Sequence, residues 1–210
     1  MDVLYNDKSI IVCLKQPGEL SQAGKNGEPS LLTELEASFG APIFPVHRLD
    51  RETGGLMVYA RTKEAAARLS DAIAQHKLAK EYVCIVRGTP ADDTGTYRDL
   101  LLHDKQRNKT FVVQRMRGGV KEAVLSYRVI DRRNDTSLVR VTLQTGRTHQ
   151  IRVQFSSRKT PLIGDGKYGG GKGELALWSC HLTFPHPITD EILSFERLPG
   201  GGVWTEYALL

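Results

Sequence analysis

A chain of 210 residues, 40% hydrophobic and 25% charged, has an ordinary globular composition and room for one domain or one domain with two lobes. No apolar run approaches a membrane span, and Met1-Asp2-Val3-Leu4-Tyr5-Asn6-Asp7 lacks the cationic and apolar regions of a signal peptide, so a cytoplasmic protein is expected. A net charge of +5 favours an anionic partner, and three widely spaced cysteines, Cys13, Cys84 and Cys180, are expected as buried reduced thiols.

In chain order, Val3 to Tyr5 and Ile10 to Leu14 read as short strands joined by Asn6-Asp7-Lys8-Ser9, and Lys15-Gln16-Pro17-Gly18 breaks the second. A loop rich in Gly, Asn and Ser runs to Pro29. Ser30 then caps a helix from Leu31 to Phe39, with Leu31, Leu32, Leu35 and Phe39 on one face and Gly40 at its end. Ile43 to Val46 leads into a charged stretch, His47-Arg48-Leu49-Asp50-Arg51-Glu52. Thr53-Gly54-Gly55 reads as a turn, and Leu56 to Arg61 as a strand. Thr62 caps a helix from Lys63 to His76, and His76 suits its C-terminal dipole.

Lys80 to Arg87 is a strand ended by Gly88-Thr89-Pro90. The segment from Ala91 to Gly119 shows no clear periodicity. It holds most of a basic run, Lys105, Arg107, Lys109, Arg115, Arg117 and Lys121, with no acidic residue inside it. Such a run is either a solvated face or a phosphate-gripping loop. Glu122 to Arg132 and Ser137 to Gln144 read as an antiparallel pair turned by Arg133-Asn134-Asp135. Arg147 to Arg158 reads as a helix with Ile151 and Phe155 on one side and polar residues on the other. Leu175 to Phe184, Glu191 to Phe195 and Val203 to Leu210 read as late strands. Strands outnumber helices and are joined by short turns, which points to α+β with a mixed, largely antiparallel sheet.

Two stretches concentrate chemistry. In the first, Asp50 stands between Arg48 and Arg51 ahead of a buried strand; the plain alternative is a salt-bridged loop. In the second, Thr145-Gly146-Arg147-Thr148-His149-Gln150-Ile151-Arg152 follows a strand. Arg147 can offer a bidentate fork to Asp50; alternatively it caps carbonyls or pairs with Asp165. His149 reads as a satisfied core residue more readily than as a base. Gly164-Asp165-Gly166-Lys167-Tyr168-Gly169 fits GxGxxG but lacks the flanking strand and helix, so a mobile loop is expected there. His47, His149, His181 and His186 have no paired ligand spacing, so no metal is expected.

Together these stretches resemble the RluA family of pseudouridine synthases, over nearly the whole chain. His47-Arg48-Leu49-Asp50-Arg51-Glu52-Thr53-Gly54-Gly55-Leu56 resembles its catalytic motif, and Lys15-Gln16-Pro17-Gly18 its Lys-Pro-x-Gly-like turn. Lys80-Glu81-Tyr82 resembles its Lys-x-Tyr motif. The Thr145–Arg152 stretch with Pro161-Leu162-Ile163-Gly164-Asp165 resembles the third motif, and Trp178-Ser179-Cys180-His181-Leu182-Thr183-Phe184-Pro185-His186-Pro187 the closing signature. Gly54 stands where the family usually has Ser.

The resemblance implies a single catalytic domain over residues 1–210 with the pseudouridine synthase fold, flanking helices, a catalytic cleft and no separate N-terminal S4-type module. It implies a monomer acting on rRNA or tRNA without cofactor. Asp50 becomes the nucleophile or base and Arg147 its holder. Tyr82 stacks on the target uracil, although a core strand aromatic is its plain reading. Arg48 fills the vacated base stack, and Ile151 walls in the detached uracil, against a plain reading as helix packing. His47 and Thr53 join the substrate contacts, and Lys105, Arg107, Lys109, Arg115 and Arg117 grip RNA. An RNA-binding protein with weak or lost isomerase activity is the alternative.

Overall fold

The computed structural model describes residues 1–24 and 27–207. In chain order the elements are β1 (Asp2–Asn6), β2 (Ile10–Lys15), α1 (Leu31–Phe39), β3 (Phe44–Pro45), β4 (Gly54–Ala60), α2 (Lys63–Ala74), β5 (Ala79–Arg87), β6 (Thr94–Asp104), β7 (Lys109–Val113), β8 (Val120–Arg133), β9 (Thr136–Leu143), α3 (Gln150–Ser156), β10 (Leu177–Pro185) and β11 (Ile192–Glu196), followed by a 3₁₀ turn at Gly202–Trp204. The class is α+β, as expected. Two compact units form, Met1–Lys80 with Ser179–Leu198, and Glu81–Trp178 with Pro199–Leu210. Among the described residues no helix is long and apolar enough to cross a membrane.

In the first unit the strand order is β1-β2-β4-β10, with β3 on β4 and β11 on β10. The β1–β2, β2–β4, β3–β4 and β10–β11 pairings are antiparallel. Every residue of β2 and β4 is buried, so both faces of these strands are covered. That explains why each reads as a continuous apolar run without alternation. The caps expected for α1 are present. Ser30 accepts from Thr33 N–H, the Thr33 side chain returns to the Ser30 backbone, and Gly40 ends the helix in the left-handed region. Thr62 caps α2 through Ala65 N–H. That helix stops at Ala74, short of His76, which has left-handed backbone at φ 57°.

One turn was misplaced by sequence reasoning. Gly54 and Gly55 do not form a turn; they open β4, where Gly55 pairs with Lys15. The chain reverses earlier, at Arg51 and Glu52, closed by Thr53 N–H donating to the Asp50 carbonyl at 3.1 Å. Gly55 has φ 117°, and a Cβ there would run into the Ser179 backbone. Its glycine is required by close strand approach as well as by backbone conformation.

The second unit has the strand order β5-β9-β8-β6-β7, and its four pairings are antiparallel. The segment that defied assignment is mostly the β6–β7 hairpin, whose turn carries Lys105 and Arg107. The β8–β9 turn falls where expected, with Asn134 at φ 49°. The third helix is shorter than its sequence suggested. It begins at Gln150, after His149 takes a left-handed conformation, because the Gln150 side chain accepts from Arg147 N–H and the Thr145 hydroxyl and closes a loop instead of a helical turn. Its polar side is buried too. Gln154 donates to Asp99 at 2.7 Å, and Arg152 pairs with Asp165.

Leu101, Ala123, Val153 and Tyr168 form one core cluster of this unit. The expected last strand is replaced by the 3₁₀ turn; its end, residues 208–210, lies outside the described residues. The three cysteines are buried, as expected.

Candidate active site

The sequence candidates divide between the two units. His47, Arg48, Asp50 and Thr53 lie in the first; Tyr82, Arg147, Ile151 and the basic run lie in the second.

The Asp50 loop is anchored on both sides of the carboxylate. The Ser21 hydroxyl donates to the Leu49 carbonyl at 3.1 Å, and Leu49 N–H returns to Ser21 Oγ at 3.0 Å. Ser21 is itself held by the buried Tyr59 hydroxyl, which donates to its carbonyl at 2.7 Å. The Arg51 carbonyl accepts from Gly18 N–H at 2.8 Å and from Lys15 Nζ at 2.9 Å. Leu49 and the Arg51 backbone are therefore fixed, while half-buried Asp50 sits between them.

Lys15 is the anchor that sequence reasoning missed. Its side chain is fully buried at the end of β2, and its ammonium donates to three carbonyls, those of Gln16, Glu19 and Arg51, at 2.8–3.0 Å. Burial lowers its pKa to about 8, against the opposing carboxylates of Glu19, Glu52 and Asp50. The available signal was a lone lysine ending the apolar run Ile10-Ile11-Val12-Cys13-Leu14.

His47 pins the start of the loop to β4, because its Nε2 accepts the Val58 N–H at 3.1 Å. A neutral ring accepting at Nε2 carries its proton on Nδ1. That N–H is buried without a partner, and so is the Thr53 hydroxyl. Burial, reinforced by the Lys80 charge, lowers the His47 pKa to about 3, so the ring is a neutral donor at physiological pH. Arg48 is exposed.

In the second unit Tyr82 is buried on β5 and Ile151 is buried in α3. Arg147 is half-buried and donates through Nε to the Glu122 carbonyl at 2.9 Å, a carbonyl-capping contact. The buried arginine of this motif is Arg152. It grips Asp165 with two bonds, Nε to Oδ2 at 2.7 Å and Nη2 to Oδ1 at 2.8 Å. Asp165 also accepts Tyr168 N–H at 3.2 Å. The Tyr168 hydroxyl accepts Thr110 N–H at 2.7 Å and meets His149 Nδ1 at 2.9 Å. His149 is thus a satisfied core residue. The GxGxxG segment is closed by Gly164 N–H to Gly170 O and Gly170 N–H to Asp165 O. It is wrapped around a buried carboxylate and presents no phosphate cradle.

Lys105, Arg107, Arg115 and Arg117 are exposed; the Arg107 guanidinium lies 3.7 Å from the Asp104 carboxylate, which also accepts the Arg107 backbone N–H at 3.1 Å. Lys109 is half-buried, its ammonium 5.3 Å from the Tyr168 ring centre and 5.8 Å from that of Phe111. A groove of about 360 Å³ in this unit is lined by Glu81, Ser126, Tyr127, Arg128, Arg140 and Thr142, none of them singled out by the sequence.

Comparison with known proteins agrees with the motif order. The family described as RNA pseudouridylate synthase matches residues 9–157. The ribosomal large subunit pseudouridine synthase D of Zymomonas mobilis is 32% identical over 218 residues, covering 93% of this chain and 68% of that protein. YlyB of Bacillus subtilis, described as an uncharacterized RNA pseudouridine synthase, is 33% identical over 210 residues with the same coverage. The solved structure of human RNA pseudouridylate synthase domain containing 4 superposes with a TM-score of 0.76 at 24% identity, over 94% of this chain and 88% of that one. The chain belongs to the RluA family of RNA pseudouridine synthases and is an isomerase with the pseudouridine synthase fold.

Proposed function

We propose that this enzyme isomerises specific uridines in rRNA or tRNA to pseudouridine, acting as a monomer through an essential Asp50. The observation that carries the reading is the construction of the Asp50 loop. Ser21 on one side and Lys15 with Gly18 on the other hold the backbone around a half-buried carboxylate. Positioning of this kind is what a nucleophile or a base on the sugar needs. The N1–C1′ bond of uridine breaks, the uracil turns, and C5 bonds to C1′. The C5 proton leaves to solvent and N1 gains one, so there is no net redox change. A paired base is out of reach inside a stem, so the nucleotide is flipped out at a cost of roughly a few kcal/mol. Arg48, exposed beside Asp50, fills the vacated stack. Tyr82 stacks on the uracil and Ile151 walls it in. Arg147 steadies Asp50 in this reading, although its Nε already serves the Glu122 carbonyl. The unpartnered Thr53 hydroxyl and His47 N–H are donors for the nucleotide. The basic residues from Lys105 to Arg117 grip phosphates.

The test is tritium release from rRNA and tRNA labelled at C5 of uridine. Wild type releases tritium and Asp50→Asn does not, with unchanged melting temperature. Equal release from both rejects the role of Asp50. The alternative, an RNA-binding protein with lost isomerase activity, draws on Gly54, which replaces the family's usual Ser. It predicts retention of the labelled RNA without release by wild type.

A further inference from the structure

Among the large apolar side chains that the described residues expose, Met116 stands in a setting of its own. Met1 and Val3 flank Asp2, Ile130 precedes Asp131, Ile192 follows Glu191, and Ile188 lies between Pro187 and Thr189. Met116 is 62% exposed and stands between Arg115 and Arg117, both exposed. Neither guanidinium has a hydrogen bond or ion pair among the described residues. A single exposed apolar side chain is ordinary. One held between two open cations has a chemistry that a partner can match.

The loop that carries it has fixed ends. β7 and β8 lie on either side of β6 and are both antiparallel to it, so residues 114–119 have to pass across β6. Val120 N–H donates to the Arg117 carbonyl at 3.0 Å, and Gly119 turns with φ 81°. Two residues into β8, the Glu122 carbonyl accepts Arg147 Nε–H at 2.9 Å. The loop is therefore rooted on the strand that anchors one of the candidate site residues.

Cation, apolar group, cation is the complement of one repeat of a nucleic-acid strand: phosphodiester, flat base, phosphodiester. A polarisable thioether packs favourably against an aromatic ring, and methionine is among the apolar side chains that insert between bases. The arginine forks suit phosphate. We propose that Met116 packs on an unstacked base of the bound RNA, with Arg115 and Arg117 on the phosphodiesters at either side of it. The inference rests on the proposed function, which already gives the two arginines phosphates, and adds a base contact that salt does not screen.

Wild type carries its own controls, since Met1 is 55% exposed and Met57 is fully buried. Mild peroxide oxidation, read by mass spectrometry, converts accessible thioethers to sulfoxides. Without RNA, Met1 and Met116 oxidise and Met57 does not. With C5-tritiated rRNA or tRNA bound, Met116 oxidises several-fold more slowly relative to Met1. Filter retention across a salt titration separates the parts. Met116→Gln is expected to weaken retention roughly two- to tenfold, the range of a sulfur–ring contact, at unchanged salt slope. Met116→Phe keeps or raises the affinity, because a ring stacks on any base. Arg115→Gln with Arg117→Gln lowers the slope by about 1.4, from about 0.7 for each phosphate of a single strand. Melting temperatures stay level, because the altered side chains are exposed. Undiminished Met116 oxidation under RNA, wild-type affinity in Met116→Gln, or a Met116→Phe as weak as Met116→Gln each overturn the base contact. If wild type releases no tritium the proposed function fails, whereas normal release with any of those outcomes rejects the Met116 contact alone.

Discussion

The pair between Arg152 and Asp165 is the place where the second unit is most easily broken. Its side chains are 5% and 0% exposed, and the two bonds of 2.7 and 2.8 Å form a parallel fork. Replacing Arg152 by Met keeps most of the volume and removes the cation. Asp165 is then left with the Tyr168 N–H alone. Breaking one side of a buried pair costs about 3–5 kcal/mol, chiefly the uncompensated charge of the survivor. For a protein of this size each kcal/mol lowers the melting temperature by roughly 2–4 °C, so the expected loss is about 6–20 °C. Both tryptophans, Trp178 and Trp204, lie in this unit and are buried, so fluorescence during urea or thermal unfolding reports on it directly. The double variant Arg152→Met with Asp165→Leu removes both charges and should recover most of the loss, because apolar replacement of a whole buried pair is often neutral. A single variant within about 1 kcal/mol of wild type, or a double variant worse than the single, would refute the reasoning.

Three further outcomes are expected. The His47 pKa in the folded protein, about 3, lies below its unfolded value of about 6.5. Its contribution to stability is therefore fully present above pH 6.5 and is lost toward pH 3, by about 1.4 kcal/mol per pH unit. Urea midpoints between pH 7 and 4 should fall less steeply in His47→Gln than in wild type, and parallel curves would show that His47 does not set the acid limb. Gly55→Ala places a Cβ against the Ser179 backbone at a φ that alanine avoids. Strain and overpacking together cost about 2–6 kcal/mol, which would appear as poor soluble yield or an early melting transition. Replacing Lys105, Arg107 and Lys109 together by Gln should weaken RNA retention and reduce the salt slope by up to about 2, while an unchanged slope would mark the hairpin turn as merely solvated.

Elements with local signals were legible in the chain. The caps of α1 and α2, the continuous apolar strands β2 and β4, and the Asn134 turn each follow from neighbours a few residues apart, so their chemistry is written in consecutive letters. The order of the motifs also identified the family, and the charged stretch around Asp50 was found for the same reason.

Other features depend on partners distant in sequence. Lys15 becomes an anchor only when β2 brings it beside the Arg51 carbonyl, 36 positions away. The backbone that crowds Gly55 belongs to Ser179, far along the chain. The division of labour between Arg147, on the Glu122 carbonyl, and Arg152, on buried Asp165, could not be read from a motif that contains both. The basic hairpin escaped assignment because the polar first half of β6 gives no period of its own; its register comes from β8 and β7. Composition and local pattern determined which segments are strands, helices and charged loops. Which buried charge is paired and which is braced by carbonyls was decided only in the tertiary structure, because a charge is satisfied by what the fold places beside it and not by its neighbours in the chain.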